Sequence, residues 1–296
     1  PTYDDHVSVV IGTLFDHVMR WSLLPAVFVT LAAADNVWSE VTATGGPAEL
    51  EYPSAVWDEA NKRMLTFGGG DNSDAFHDSV FSLEDSTWTD ISTSGTGPAG
   101  RYRQAIALDG SRMFVFGGSS EDRHKDLFAL DLTTYAWSSL DDGDELFGHS
   151  MLWDSQNSRL LVFGGQKGAS EQYRDQLMEW KSAEDNWSDL SPSGDSPSKR
   201  SFHTAVWKSS TEMLVFGGQG GSTTYYKDLF LYDTASNEWS SLADGSAERA
   251  HHAAVFVGCM NVMLVHGGYD GSALSDLAVY TVSRNSWSTV ETSGTG

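Results

Sequence analysis

Cysteine is nearly missing from this chain. Cys259 is the one such residue among 296, which excludes an internal disulfide and any zinc site built on paired thiolates. Basic residues are scarce too, with 18 Lys+Arg against 41 Asp+Glu and a formal net charge of −23 at pH 7. Such an acidic surface repels phosphate backbones and anionic lipid heads, so nucleic acid and membrane surfaces are poor partners. A basic protein partner, salt adaptation, or a lumenal or extracellular setting would each account for the excess. Long apolar runs are also absent. The longest, Trp21 to Ala34, has 14 residues and includes Ser22, Pro25 and Thr30, short of the roughly 20 that a spanning helix needs. With Met19-Arg20 before it and Ala32, Ala33 and Ala34 closing it, the run has the shape of a secretory signal core. Its setting is wrong for one, since the residues upstream of Met19 include Asp4, Asp5 and Asp16 and no Lys or Arg. The compartment therefore stays open between cytoplasmic, secreted and organelle-lumenal.

What the chain does contain is a repeat. MLTFGG (64–69), MFVFGG (113–118), LLVFGG (160–165), MLVFGG (213–218) and MLVHGG (263–268) are five versions of one phrase, and a tryptophan follows each. With Trp38 added, the series Trp38, Trp88, Trp137, Trp187, Trp239, Trp287 advances in steps of 50, 49, 50, 52 and 48 residues, a period of the solenoid and propeller class. Within residues 200–242 the runs HTAVW, MLVFGG, DLFLYD and EWSSL are short, β-prone and separated by polar or glycine-bearing turns, which predicts one four-stranded sheet per unit. Seven positions before the tryptophans stand Leu31, Phe81, Leu130, Trp180, Tyr232 and Tyr280, all large and apolar or aromatic; these are expected to pack between neighbouring sheets. The double glycine closes the second strand, where the missing Cβ permits positive φ or close backbone approach.

With Gly-Gly, an aromatic residue and a tryptophan in that order, the chain resembles the kelch family of β-propellers, strongly over about residues 48–296 and weakly before. The resemblance implies an all-β fold: a six-bladed β-propeller of four-stranded kelch-type blades around a channel, forming one domain over 1–296. Residues 1–47 would be a degenerate first blade without Gly-Gly, and 48–98, 99–145, 146–197, 198–246 and 247–296 the regular blades. In the first, HVSVVI (6–11), VMRW (18–21), VFVTL (27–31) and VWSEV (37–41) would supply the four strands, so that no strand is donated from one chain end to the other. Five full blades plus an extra N-terminal strand is the alternative. The start at Pro1, and the closing TSGTG (292–296) that repeats the linker TSGTG (93–97), suggest a processed or partial product.

A propeller hosts enzymes and binding modules alike, so sites need separate argument. The cysteine crosslinked to tyrosine that kelch-like copper oxidases require has no candidate but Cys259, in the turn VGCMN. Sialidase-type Asp boxes are absent, because SLEDSTW (82–88) lacks the glycine, and P-loop and HExxH motifs are absent as well. No catalytic residue, cofactor or metal site is expected. One constellation is a candidate ligand site at the channel mouth. Aligned blade starts place His6, Pro53, Gln104, His149, His203 and His252 on one tier of the strand expected to line the channel, and Arg101, Arg200 and Arg249 begin three blades. The histidines would bind a ligand or cap turns; the arginines would clamp an anion or neutralise nearby acids. The segments after each double glycine, at 70–78, 119–126, 166–175, 219–228 and 269–276, differ far more than the strands around them. Equivalent loops share one face of a propeller, and loops carry binding groups while sheets fix their positions. Aromatic and arginine anchors single out Phe76, Arg123, Tyr173, Arg174, Tyr225, Tyr226 and Tyr269 for partner binding. The expected function is a non-catalytic protein–protein interaction module, a scaffold or subunit of a larger complex. An enzyme or carbohydrate-binding lectin acting at the channel mouth is the alternative.

Overall fold

A computed structural model describes residues 7–10, 27–31, 37–40, 43–47, 50–71, 73, 75–168 and 172–294, with backbone alone for 7–40 and 293–294. Five sheets of four antiparallel strands follow one another along the chain. In the third repeat they are Ala105–Leu108, Arg112–Phe116, Leu127–Asp131 and Trp137–Ser139, and in the fifth Thr204–Trp207, Glu212–Phe216, Leu229–Asp233 and Glu238–Ser241. Sequence order and pairing order coincide in all five. Among the described residues there is no α-helix, and no helix is long and apolar enough to cross a membrane.

The second strand of each unit is apolar on both faces because it is covered on both. Phe114 and Phe116 pack with Leu160, Val162 and Trp180 of the following sheet, whereas Met113 and Val115 pack with Leu65 and Phe67 of the preceding one. The same interleaving joins Leu161 and Phe163 to Met213 and Val215, and Leu214 and Phe216 to Met263 and Val265. Each such side chain contributes about 1.5–3 kcal/mol by leaving water. First strands of successive sheets meet side by side, Ser54–Asp58 against Ala105–Leu108, then Ser150–Asp154, Thr204–Trp207 and Ala253–Val257, as strands lining a common axis must.

Tryptophans open the fourth strands. Leu130, Trp180, Tyr232 and Tyr280 lie directly across from Trp137, Trp187, Trp239 and Trp287, and the left-handed turn residues Asn237 and Asn285 accept the hydroxyls of Tyr232 and Tyr280 at 2.8 Å. Phe81 departs from the expected column. Its hairpin turns on only two residues, Asp85 and Ser86, both with positive φ, so the shortened register puts Leu83 opposite Trp88 and leaves Phe81 opposite Asp90.

At the N-terminus, Val7–Val10 pairs directly with Val27–Leu31, which pairs with Val37–Glu40. The first of these therefore takes the place that the second strand holds in every other sheet. Residues 18–21 and the other unassigned parts of the segment lie outside the described residues. The chain ends do share a sheet, contrary to expectation: Ser293–Gly294 adds in parallel to Val37 and Trp38. The same device recurs inside the chain, where Ser193–Gly194 adds in parallel to Glu238 and Trp239 of the next unit.

Candidate interaction face and channel mouth

Each double glycine adopts positive φ at both residues, for instance 64° at Gly217 and 99° at Gly218. The space is spoken for: a Cβ on Gly217 would stand 2.6 Å from the Arg249 carbonyl oxygen and 2.9 Å from Cε1 of His252. The glycines thus let the next sheet's first strand approach, and the histidine tier is what approaches. His149, His203 and His252 are buried, each with its ring edge-on to a phenylalanine of the preceding sheet, at 5.1, 5.3 and 5.3 Å from Phe116, Phe163 and Phe216. Nε2 of His203 meets Ser150 Oγ at 2.9 Å, and Nε2 of His252 meets Thr204 Oγ1 at 2.8 Å. In both cases the hydroxyl belongs to the residue that follows the tier position in the preceding sheet. The third sheet has Ala105 there, and His149 accordingly has no hydrogen-bond partner at either nitrogen. Burial pushes His149 down to about 3. His203 and His252 are driven well below the ordinary range by burial, then by the charges of Arg200 and Arg249. Gln104 donates instead to the Phe67 carbonyl at 2.7 Å, while His6 lies outside the described residues. The tier wedges sheets together in neutral form.

The blade-start arginines have internal partners. Arg200 donates through Nη1 to the Gly217 carbonyl at 2.8 Å and grips Asp228 with both terminal nitrogens, at 2.6 and 2.9 Å. Arg249 does the same with Gly267 and Asp276, and Arg101 with Gly117 and Asp126. All three are at most 1% exposed. Such bidentate pairs are strong and directional. The second and fourth repeats replace both members together: Leu50 and Leu146 stand at the arginine position, Ser79 and Gln176 at the aspartate position. Of the two roles foreseen for these arginines, neutralising nearby acids is the one the geometry displays.

Loop residues divide as well. Tyr226 lies over the buried Arg200 guanidinium, 4.5 Å from its carbon, so it serves that pair. Arg174 faces Asp144 at 3.5 Å. Tyr225 stands edge-on to Tyr269 at 5.9 Å, and Tyr173 accepts from Gln219 Nε2 at 3.1 Å; these three tyrosines come from three successive repeats and are partly exposed. Phe76 stacks on Tyr102 at 5.3 Å, and Arg123 sits 4.0 Å over Phe147.

One column was not foreseen. Tyr52, Arg103, Gly148, Phe202 and His251, each immediately before its tier residue, all have positive φ between 51° and 64°. Their backbones form a chain of bonds from sheet to sheet: Arg103 N to Tyr52 O (3.2 Å), Gly148 N to Arg103 O (3.0 Å), Phe202 N to Gly148 O (2.7 Å) and His251 N to Phe202 O (2.9 Å). Neighbouring bridges, Glu51 to Gly70, Tyr102 to Ser119 and Ser201 to Gln219, place this column at the same end of the inner strands as the Gly-Gly loops. The side chains converge there. The Arg103 guanidinium carbon is 4.4 Å from the Tyr52 ring, 4.9 Å from Tyr102 and 5.3 Å from Phe202, and Phe202 stacks on His251 at 4.0 Å. Burial, aided by the Arg103 charge, lowers His251 to about 3. The signal in the sequence was a column that varies freely beside one that repeats. Among the described residues, no three His, Cys, Asp or Glu side chains are grouped to hold a metal ion.

The family model described as the Attractin/LZTR1 beta-propeller matches residues 64–296. Among curated relatives, Acyl-CoA-binding domain-containing protein 4 of Arabidopsis thaliana is 27% identical, the match covering 69% of this chain and 40% of that protein. The Rab9 effector protein with kelch motifs of Xenopus laevis is 26% identical over 63% of this chain and 54% of its own length, and Kelch domain-containing protein 10 of Xenopus tropicalis is 26% identical over 79% and 60%. The chain thus spans between 40% and 60% of these relatives. Kelch-type propellers of this kind are generally protein-interaction modules. The repeated Gly-Gly phrase, the interleaved four-stranded sheets and the family match agree, and the chain belongs to the Attractin/LZTR1 family of kelch β-propellers.

Proposed function

We propose that this chain is a non-catalytic interaction module that docks a protein partner over the face carrying the post-Gly-Gly loops, as part of a larger assembly. One ring of six blades over residues 1–296 would present that face, a count supported by the parallel addition of Ser293–Gly294 to the N-terminal sheet. The observation that carries the reading is the row Tyr173, Tyr225 and Tyr269, aromatic and partly exposed on adjoining loops of three repeats whose underlying sheets are nearly identical in plan. Tyrosine supplies large contact area at low entropic cost, and rigid sheets pre-organise it. The channel-mouth enzyme or lectin reading loses support, because the described histidines offered for it are buried between sheets and the arginines are gripped by aspartates of their own repeats.

A photo-crosslinking amino acid at Tyr225 is expected to trap a partner protein that the same probe at Ser288, on the outer fourth strand, does not. The double variant Tyr225→Ala/Tyr269→Ala should weaken capture of that partner by tenfold or more, in the range of interface anchors, with an unchanged melting temperature. Trapping from Ser288 alone would move the interface to the outer edge and sink this reading.

A further inference from the structure

Seven described arginines hold a carboxylate within 4 Å. In a protein with 41 acidic residues that is the expected fate of a guanidinium. Arg103, Arg123 and the exposed Arg284 are the exceptions among the described residues, and the first two lie on the same patch. Arg103 covers Phe202, Phe202 is 6.2 Å from Phe147, and Arg123 covers Phe147 at 4.0 Å. On the far side of Arg103 the patch continues through Tyr52 and Tyr102 to Phe76. Nε of Arg103 is buried and has no hydrogen-bond partner. Arg123 donates from Nη1 to Ser119 Oγ at 2.6 Å, a neutral acceptor that leaves its charge uncompensated.

Resting on the interaction reading above, we infer that this channel-mouth patch docks an acidic segment of a protein partner, with aspartate or glutamate side chains meeting Arg103 and Arg123 while the segment lies on the partly exposed rings of Tyr102 and Phe202. Three physical arguments converge. First, aromatic faces beneath a guanidinium hold it in place without neutralising it, so its terminal nitrogens stay available for bidentate carboxylate recognition. Second, Arg103 is held in the left-handed region that the whole column shares for its backbone bonds, so the junction fixes where its side chain starts without specifying the side chain. The fold does not require arginine there, since Gly148 and Phe202 make the same backbone bonds in their own repeats. Third, the sign is local. The net charge of −23 acts at long range, where salt screens it beyond a Debye length of about 8 Å at physiological ionic strength, whereas contact pairs on a partly desolvated patch are screened much less. Binding of an acidic segment should therefore hold steady or tighten as salt rises from 20 to about 150 mM, the reverse of ordinary acid–base association.

Fluorescence anisotropy with three labelled, C-terminally amidated peptides decides the matter: a Glu-rich octapeptide alternating with Gly, its Gln counterpart and its Lys counterpart. The Glu peptide is expected to bind at least tenfold tighter than the Gln peptide at 0.15 M salt. Arg103→Gln and Arg123→Gln should each weaken it about fivefold or more, and Arg103→Lys should retain part of the affinity. Equal binding of Glu and Gln peptides, preference for the Lys peptide, or Glu binding that survives the Arg103→Gln/Arg123→Gln double variant would each overturn the assignment. If the Glu peptide fails while the Tyr225 crosslink still traps a partner, the acidic-segment inference falls and the interaction reading stands; if both fail, both fall. Unchanged melting of Arg123→Gln, a loop variant, separates lost recognition from lost folding.

Discussion

His149 is the weak joint of the tier, and the repeat itself supplies the repair. His203 and His252 each meet a hydroxyl of the preceding sheet, from Ser150 and Thr204, whereas Ala105 leaves His149 with two buried nitrogens unpartnered. Ala105→Ser puts an oxygen where the other two junctions have one. A net hydrogen bond is worth about 0.5–1.5 kcal/mol, and supplying a partner to a buried orphan recovers a desolvation penalty of about 1–3 kcal/mol. Ordering the new side chain and burying its hydroxyl subtract from that, so a gain of about 1 kcal/mol is expected. The reciprocal change, Ser150→Ala, orphans Nε2 of His203 and should cost about 1–3 kcal/mol. Urea denaturation at pH 7.5, read as a shift in midpoint at constant slope, measures both. A neutral or destabilising Ala105→Ser together with a Ser150→Ala loss below about 0.5 kcal/mol would refute the claim that these hydroxyls stabilise the sheet junctions.

Stability should also fall on mild acidification. His149, His203, His252 and His251 all have folded-state pKa values below the ordinary 6.5, so the unfolded chain binds more protons as pH drops beneath about 6.5, and each histidine then removes about 1.4 kcal/mol per pH unit. Urea melts at pH 7.5 and 5.5 should differ by several kcal/mol in favour of pH 7.5, even though the lower pH relieves acidic self-repulsion; a flat or rising profile would contradict neutral burial. For the arginine pairs, Arg200→Leu and Asp228→Gln should each cost about 3–5 kcal/mol by stranding a partner. The double variant, which copies Leu146 and Gln176 of the fourth repeat, should recover more than half of the summed loss in a double-mutant cycle.

The architecture was legible because its determinants recur. Gly-Gly, the apolar second strand and the tryptophan appear at nearly constant spacing, and the structure turns each recurrence into the same contact: MFVF is apolar throughout because sheets cover both its faces. Phe81 leaves the column because a two-residue turn shortens its hairpin, so a fixed distance before Trp88 points to the wrong residue. The sharing of a sheet by the chain ends was missed for a different reason. The Ser-Gly pair that adds there in parallel recurs at Ser193–Gly194 and at Ser94, but it sits in short polar segments that read as linkers rather than strands. The arginine pairs are visible within the one sequence as the joint replacement of Arg and Asp in the second and fourth repeats, but the partners stand 25 to 28 residues apart, too far for any local pattern to link them.

The left-handed column explains why recognition and stability can be assigned to different atoms of the same residues. Its structural task, passing a hydrogen bond from sheet to sheet around the axis, is performed by backbone N–H and C=O groups alone. Tyr52, Arg103, Gly148, Phe202 and His251 perform it equally, although they share neither size, charge nor polarity. The tier residues one position later are constrained by contrast, because each side chain must fit against a Gly-Gly doublet and a phenylalanine of the preceding sheet. Substitution in the left-handed column therefore alters what the channel mouth presents without dismantling the junctions beneath it, within the cost of holding a side chain at positive φ. A fold that needs only the backbone at five positions on one face lets the side chains at four of them, Gly148 having none, differ with the partner, and in this chain the charged one is an arginine with no carboxylate partner on an acidic protein.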